Sequence, residues 1–300
     1  MAKPSSPSKL AGCVDLHLHS TASDGTDTPS ELVRKAAALG LSAIALTDHD
    51  TLCGLAEARA AAHAAGLELV PGCEISTATP YGEMHLLGFW PDETPEAMAA
   101  LESLVLCRHH RNLAMLAKLA ELGIRLSEEE LAAEAGGEII GRPHMASALL
   151  RLGAVRTRAE AFSRFLGKDG AAYVPRELLT PLEGLRLLRS LNALTAVAHP
   201  LLLRAPLAWL RQCLGELAAA GLDALEAYHS EHSAAQVRQI VDLAAQHGLL
   251  LCGGSDYHGQ NKPDVAMGRG RGGLRIPAGV LDKLKERRAL RINGQPVFRP

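Results

Sequence analysis

The stretch CVDLHLHS, residues 13–20, decides how the rest of the chain is read. It has the look of a short β-strand over 13–19, because successive strand residues point to opposite faces. Asp15, His17 and His19 then share one face, and Leu16 and Leu18 take the other. Two imidazoles two residues apart form a ready bidentate element for a metal ion, with Asp15 placed to orient one of them. Taken alone, the same residues read equally well as satisfied polar groups in a core.

Working outward, the spacing predicts a repeating strand and helix cadence. Thr28-Pro29-Ser30-Glu31 opens a helix, with Thr28 as cap, Pro29 in the first turn and Glu31 at the capping-box position; Gly40 ends it. Strands are expected over 42–47, 67–72 and 83–89, with an Ala-rich helix running to Gly66. The cadence resumes with strands over 193–199, 222–228 and 249–256 and a last helix near 278–290. Strand, helix, strand at this spacing predicts an α/β fold of parallel strands with right-handed crossovers. Between 94 and 190 only helical patterns occur. The domain reading is therefore a disordered N-terminus over 1–12, a barrel built from 13–93 and 191–300, and a helical insert over 94–190.

Residues that bind metals recur along this frame: His17, His19, Asp24, His49, Glu74, His85, His199, Asp256 and His258, with His229 as a tenth. Each has an ordinary alternative. Asp24 suits a turn, His49 between Asp48 and Asp50 suits a helix cap, Glu74 an exposed loop and His85 a satisfied core position. Yet each falls at the carboxyl end of an expected strand or in the loop after it, where α/β barrels gather active-site groups. Mixed imidazole and carboxylate donors suit manganese, iron or zinc, and this many donors suit two or three ions. Asp48 or Asp50 is expected to hold the His49 tautomer.

Composition narrows the classes. Of the 300 residues, 47% are hydrophobic and only 3% aromatic, so the core must be Leu, Ala, Val and Ile, and a base-stacking platform is disfavoured. The formal charge of −2 gives no hint of a polyanion partner, and the basic residues from Arg269 to Arg291 read as a solvated face. Six cysteines without CxxC spacing read as reduced thiols. The chain shows no apolar run of membrane length and no signal-peptide pattern, so a cytoplasmic enzyme with no membrane association and no obligate protein partner is expected.

The ordered set DLHLHS, SDG, ALTDHD, GCEIS, HLLGF, AHP and GSDYHG resembles the PHP (polymerase and histidinol phosphatase) family over about 13–90 and 193–260. The resemblance implies a distorted (β/α)7 barrel with a helical insertion domain and a centre of two or three divalent ions, manganese foremost, with iron or zinc as alternatives. It implies one ion on His17, His19, Glu74 and Asp256, a second sharing Glu74 and adding His85 and His199, and a third on Asp24, His49 and His258.

GRPHMA, residues 141–146, resembles the insert of the family's nucleotide phosphoesterases, which remove the 3′-phosphate from 3′,5′-bisphosphonucleotides. Related members trim short RNA from its 5′ end. Arg142 and His144 stand at an expected helix start, where free N–H groups favour an anion; a helix cap with a surface Arg is the alternative. His229 is implied as a phosphate contact or general acid, Asp256 as the second catalytic residue, and Lys168 as a further substrate contact. The expected activity is metal-dependent hydrolysis of a nucleotide 3′-phosphate, such as that of adenosine 3′,5′-bisphosphate, and of short 5′-phosphorylated RNA, by attack of metal-activated hydroxide on phosphorus. Histidinol-phosphate phosphatase, an amidohydrolase-type C–N hydrolase and a non-catalytic PHP module are the alternatives.

Overall fold

Thr28 caps the first helix as its sequence predicts: Thr28 Oγ1 accepts from Glu31 N at 3.3 Å, and Glu31 Oε2 accepts from Thr28 N at 2.8 Å. Gly40, at φ 79°, closes the helix in the left-handed conformation that glycine adopts at little cost. The computed structural model describes residues 10–135 and 139–293. Its strands are β1 (Cys13–Leu18), β2 (Ala43–Leu46), β3 (Glu68–Thr79), β4 (Gly82–Phe89), β5 (Leu194–Val197), β6 (Ala224–His229), β7 (Leu250–Gly254) and β8 (Ile276–Pro277). The helices are α1 (Pro29–Leu39), α2 (Leu55–Ala65), α3 (Pro95–Glu121), α4 (Glu128–Ala132), α5 (Arg142–Arg151), α6 (Arg158–Ala161), α7 (Pro181–Ser190), α8 (Leu207–Ala219), α9 (Ala234–His247) and α10 (Gly279–Ile292).

The strands form one sheet in the order β7-β6-β5-β4-β3-β2-β1-β8. The sheet curls into a nearly closed barrel, because the chain just after β7 returns to β1: Asp256 N donates to His17 O at 2.9 Å and His19 N to Tyr257 O at 3.0 Å. β1, β2 and β3 pair in parallel, as do β5, β6 and β7.

The expectation of parallel strands throughout fails at β4, which is antiparallel to both β3 and β5. Only Pro80 and Tyr81 separate β3 from β4, and a parallel crossover needs a dozen residues or more. The reversal also corrects the position of His85. It lies in the first half of β4, paired with Ser76, and reaches the rim because that half stands beside the carboxyl ends of the parallel strands.

Alternation on β2 separates the two main cores. Ile44 and Leu46 join Leu32, Leu55, Ile75, Leu188, Leu214 and Leu243 between the sheet and the outer helices. Ala43 and Ala45 join Val14, Leu16, Val70, Leu87 and Phe89 on the inner side, closed by Leu281 and Leu284 of α10. A third cluster, including Met115, Leu119, Leu131, Met145, Leu149 and Phe165, belongs to the insert. The ends of the expected 94–190 block pack elsewhere: Ala97, Leu101 and Leu104 of α3 and Leu185 and Leu188 of α7 are part of the barrel core. Gly184 lets α7 lie close on the sheet, since a Cβ there would stand 2.6 Å from Thr77 Cγ2. Of the N-terminus expected to be disordered, residues 1–9 lie outside the described residues. Leu10 is fully buried, and its N–H donates to Leu39 O at 2.8 Å.

Candidate metal centre

Glu74 stands at the middle of the site. Its Oε1 lies 2.9 Å from His85 Nδ1 and 3.2 Å from His199 Nε2. Its Oε2 lies 3.3 Å from His17 Nε2, 3.2 Å from His19 Nε2 and 3.2 Å from His49 Nδ1. One carboxylate thus faces five imidazoles drawn from β1, the loop after β2, β4 and the turn after β5. Asp256 Oδ1 is 3.4 Å from His19 Nε2 and 3.7 Å from His17 Nε2. Asp24 Oδ1 is 3.2 Å from His258 Nε2 and 3.9 Å from His49 Nε2. All nine expected donors are therefore brought together from six separate segments of the chain.

The grouping of donor atoms coincides in part with the one the family resemblance implies: Asp24, His49 and His258 fall together, as do His17, His19 and Asp256. Among the described residues, atoms within 4.8 Å of one another form the sets His17/His19/Asp256, His19/Asp24/His49/His258, His17/Glu74/His199 and His49/Glu74/His85. His85 and His199 both face Glu74 Oε1, and their rings lie 5.2 Å apart in the same cavity, although they fall in different sets.

These donors fit divalent cations. His17 Nε2, both ring nitrogens of His19, His49 Nδ1 and Asp24 Oδ1 are buried and make no hydrogen bond. Buried polar atoms are rarely left so, and a cluster of them converging on shared space is the arrangement that cations satisfy. The electrostatics agree. Burial works against the charge on Glu74, yet His17, His85 and His49 hold it well below the usual carboxylate range. Burial pushes His49 down to about 3, whereas Glu74 overcomes burial and lifts His85 to about 10. The carboxylates demand positive charge and the imidazoles share it unevenly. Backbone strain marks the same place: His199 and Asp256 sit at φ 29° and 55°.

Outer contacts aim the donors. His17 Nδ1 bonds Glu226 Oε1 at 2.9 Å, which leaves Nε2 facing Glu74; the other Glu226 oxygen accepts from His199 N at 2.7 Å. His258 Nδ1 donates to Asp256 O at 2.9 Å, which leaves Nε2 for Asp24. Glu226 escapes sequence reading, although a carboxylate inside the apolar strand LDALEAY is a signal that could have found it. Glu226→Gln should weaken Mn²⁺ binding by about 10–100-fold with little change in fold. Titration of the metal-free protein with Mn²⁺ measures this, and unaltered affinity would remove Glu226 from the site.

Several expectations are corrected. Asp15 orients no imidazole: it accepts from Ser255 N and Gly268 N, both at 2.7 Å, and burial lifts it to about 6. Asp48 takes Ser20 N and the Ser20 and Ser23 hydroxyls, and Asp50 takes Arg108 and Arg176, so neither holds His49.

Among the substrate candidates, His144 acts as a helix cap, its Nδ1 accepting from Gly141 N at 3.0 Å. Arg142 Nη2 donates to Glu83 Oε1 at 3.1 Å, and Glu83 lines the cavity over the donors. The start of α5 stands at the centre's edge: a Cβ on Gly141 would be 3.8 Å from Asp24 Oδ2. His229 Nδ1 accepts from Glu231 N at 3.1 Å, so its proton is on Nε2, 3.4 Å from Asp256 Oδ2. Lys168 is exposed, and unlike Arg142 and His229 it makes no hydrogen bond or ion pair with a described residue of the donor cluster or the cavity wall. Sequence reading passed over Arg108, Arg111 and Arg176, three buried or half-buried arginines beside Asp50 and Glu83, because helical spacing alone cannot show which α3 residues face the barrel.

The comparisons with known proteins follow this geometry. The PHP domain model matches residues 15–151. A 5′-3′ exoribonuclease from Haemophilus influenzae is 35% identical over 81% of this chain and 89% of its own length. A 3′,5′-nucleoside bisphosphate phosphatase from Chromobacterium violaceum is 31% identical over 84% of this chain and 90% of its own. A solved structure described as a metal-dependent phosphoesterase, from Bifidobacterium adolescentis, superposes with a TM-score of 0.82 at 30% identity, covering 90% of this chain and 94% of that one. Relatives of this likeness span nearly the whole molecule, barrel and insert together, and the chain belongs to the PHP family of metal-dependent phosphoric ester hydrolases.

Proposed function

We propose that this enzyme removes the 3′-phosphate from 3′,5′-bisphosphonucleotides and also acts on short 5′-phosphorylated RNA. The observation that carries the reading is the pairing of the buried donor cluster with an arginine group next to it. Arg108 and Arg176 share Asp50, Arg142 holds Glu83, and Arg111, which donates to Asn112, makes no carboxylate ion pair within 4 Å among the described residues. Burial foremost, with a further contribution from the neighbouring Arg108, Arg142 and Arg176, pushes Arg111 down to about 9 against the pull of Glu83. A substrate with a second phosphate supplies the anion this wall is short of. The names of the exoribonuclease and bisphosphate phosphatase relatives point the same way.

In this reading His17, His19, Asp24, His49, Glu74, His85, His199, Asp256 and His258 hold two or three divalent ions, for which manganese, iron and zinc all suit a mixed imidazole and carboxylate set. Ions bound there supply positive charge against the phosphoryl oxygens and make water a nucleophile at neutral pH. Glu226 keeps His17 aimed. His229 holds a proton on Nε2 at the cluster's edge, the position from which a leaving oxygen takes a proton. Arg142, which meets the cavity wall at Glu83, seats the second phosphate.

The test is phosphate release by the Mn²⁺-loaded protein from adenosine 3′,5′-bisphosphate, histidinol phosphate and an aryl phosphate, before and after chelation. The bisphosphate should give the highest kcat/KM, and chelation should abolish all release. Arg142→Ala should raise KM for the bisphosphate about 10-fold and leave the aryl phosphate unaffected. A preference for histidinol phosphate, or an equal Arg142→Ala effect on both esters, would overturn the substrate assignment. Among the described residues no helix is long and apolar enough to cross a membrane.

A further inference from the structure

The cavity over the donor cluster, about 170 Å3, is lined by His49, His85, His199 and His258 and by a single lysine or arginine among the described residues, Lys262. Its ammonium lies 2.5 Å from Asp256 Oδ2. Asp256 Oδ1 is turned to His17 and His19, so Oδ2 is the oxygen left for Lys262 and for His229. Of the arginines beside the site, Arg108 and Arg176 pair with Asp50 and Arg142 with Glu83, and neither these nor Arg111 line this cavity.

The loop that carries Lys262 is fastened independently of that ion pair. Gln260 N donates to Thr26 Oγ1 at 2.9 Å, Asn261 Nδ2 to Asp24 O at 2.6 Å, and Arg158 of α6 reaches across from the insert to Asn261 Oδ1 at 2.6 Å. Gly259, at φ +63°, is needed for this approach, since a Cβ there would meet Thr26 Oγ1 at 2.0 Å. An ion pair serving only the fold would be redundant in a loop clamped at three points and would have no reason to face the cavity. The Lys262 side chain keeps 35% of its surface open, enough for a ligand to reach it.

We propose that Lys262 touches a non-bridging oxygen of the scissile phosphoryl group, steadied by Asp256, and that Arg158 and Asn261 are positioning residues that set its place. The proposal rests on the phosphoester reading of the site but not on the choice of bisphosphonucleotide. A lysine here adds a fixed positive charge and a donor to a group whose charge spreads over its peripheral oxygens during transfer. Through Arg158, the insert also bears on the scissile phosphate and not only on the distal one.

The experiment titrates inorganic phosphate into the Mn²⁺-loaded full chain by calorimetry, with metal content measured on the same samples. Lys262→Met should keep its metal and bind phosphate about 10-fold or more weakly, with Lys262→Arg recovering part of the loss. In turnover, Lys262→Met should lower kcat/KM for the aryl phosphate and for the bisphosphate by one common factor, because the contact is to the phosphoryl group they share. Arg158→Ala should shift phosphate affinity in the same direction by less. Unchanged phosphate affinity in metal-replete Lys262→Met, or loss of metal from that variant, overturns the proposal. Wild-type protein that cleaves the aryl phosphate but ignores bisphosphonucleotides would end the substrate assignment above, and weaker phosphate binding with slower aryl-phosphate turnover in metal-replete Lys262→Met would still support Lys262.

Discussion

Glu74→Gln should lose at least about 10³-fold in kcat together with its tightly held metal, since a divalent centre contributes several kcal/mol of charge stabilisation and each 1.4 kcal/mol is tenfold in rate. Glutamine keeps the shape of the side chain and removes its charge. The loss is large because Glu74 alone faces His17, His19, His49, His85 and His199, all within 3.3 Å. No neighbouring carboxylate can replace it: Asp24 and Asp256 serve other corners of the cluster, and Glu226 is committed to His17 and His199 N. The fold should survive, because Glu74 packs among polar rings and not within an apolar core. Metal analysis and kcat on the same preparation, with circular dichroism for the fold, make the check. Wild-type turnover with full metal content in Glu74→Gln would end the metal-centre assignment.

Asp50→Asn should be the most damaging change to stability, at about 3–5 kcal/mol, because it strands two buried guanidinium groups. Asp50 is 1% exposed and accepts from both Arg108 and Arg176. Arg108 comes from α3 and Arg176 from the segment leading into α7, so one carboxylate ties the insert at both of its ends to the loop that carries His49. Asparagine tolerates the φ of 57° at this position, so the loss reports charge and not backbone strain. For a chain of this length the expected fall in Tm is roughly 5–8 °C.

The sign with pH follows from the folded-state pKa. Burial would raise Asp50, but Arg108 and Arg176 outweigh it and hold the group at about 2. A carboxyl lowered on folding contributes stability that is present above its unfolded pKa near 4 and is lost as pH falls toward 2. The gap between wild type and Asp50→Asn should therefore be constant near neutrality and close between about pH 4 and 2. Calorimetry at several pH values tests both parts, and a Tm within a degree of wild type at pH 7 would show that the arginines find other partners.

How far the chain could be read ahead of its structure differs from element to element. The α1 cap is local, and the Thr28 and Glu31 pairing is present. The nine donors could be recognised because imidazole and carboxylate are chemically conspicuous at the ends of apolar runs. The β4 reversal was missed because the third strand was expected to end at residue 72, ten residues before the next; β3 instead runs to Thr79 and leaves only Pro80 and Tyr81 as a link. Arg108 was passed over because in CRHHRN it is one charged residue among several on a helix whose buried side depends on what α3 packs against.

The chain alone determined what depends on neighbours a few residues apart, namely the strand alternation, the helix caps, the turn chemistry and the supply of metal-binding side chains. Tertiary structure decided which of these side chains meet. His17 finds Glu226 across 209 positions, and Asp50 finds Arg176 across 126. Such pairings follow from barrel closure and from the docking of the insert, both set by the burial of apolar faces that carry no record of which polar groups they will bring together.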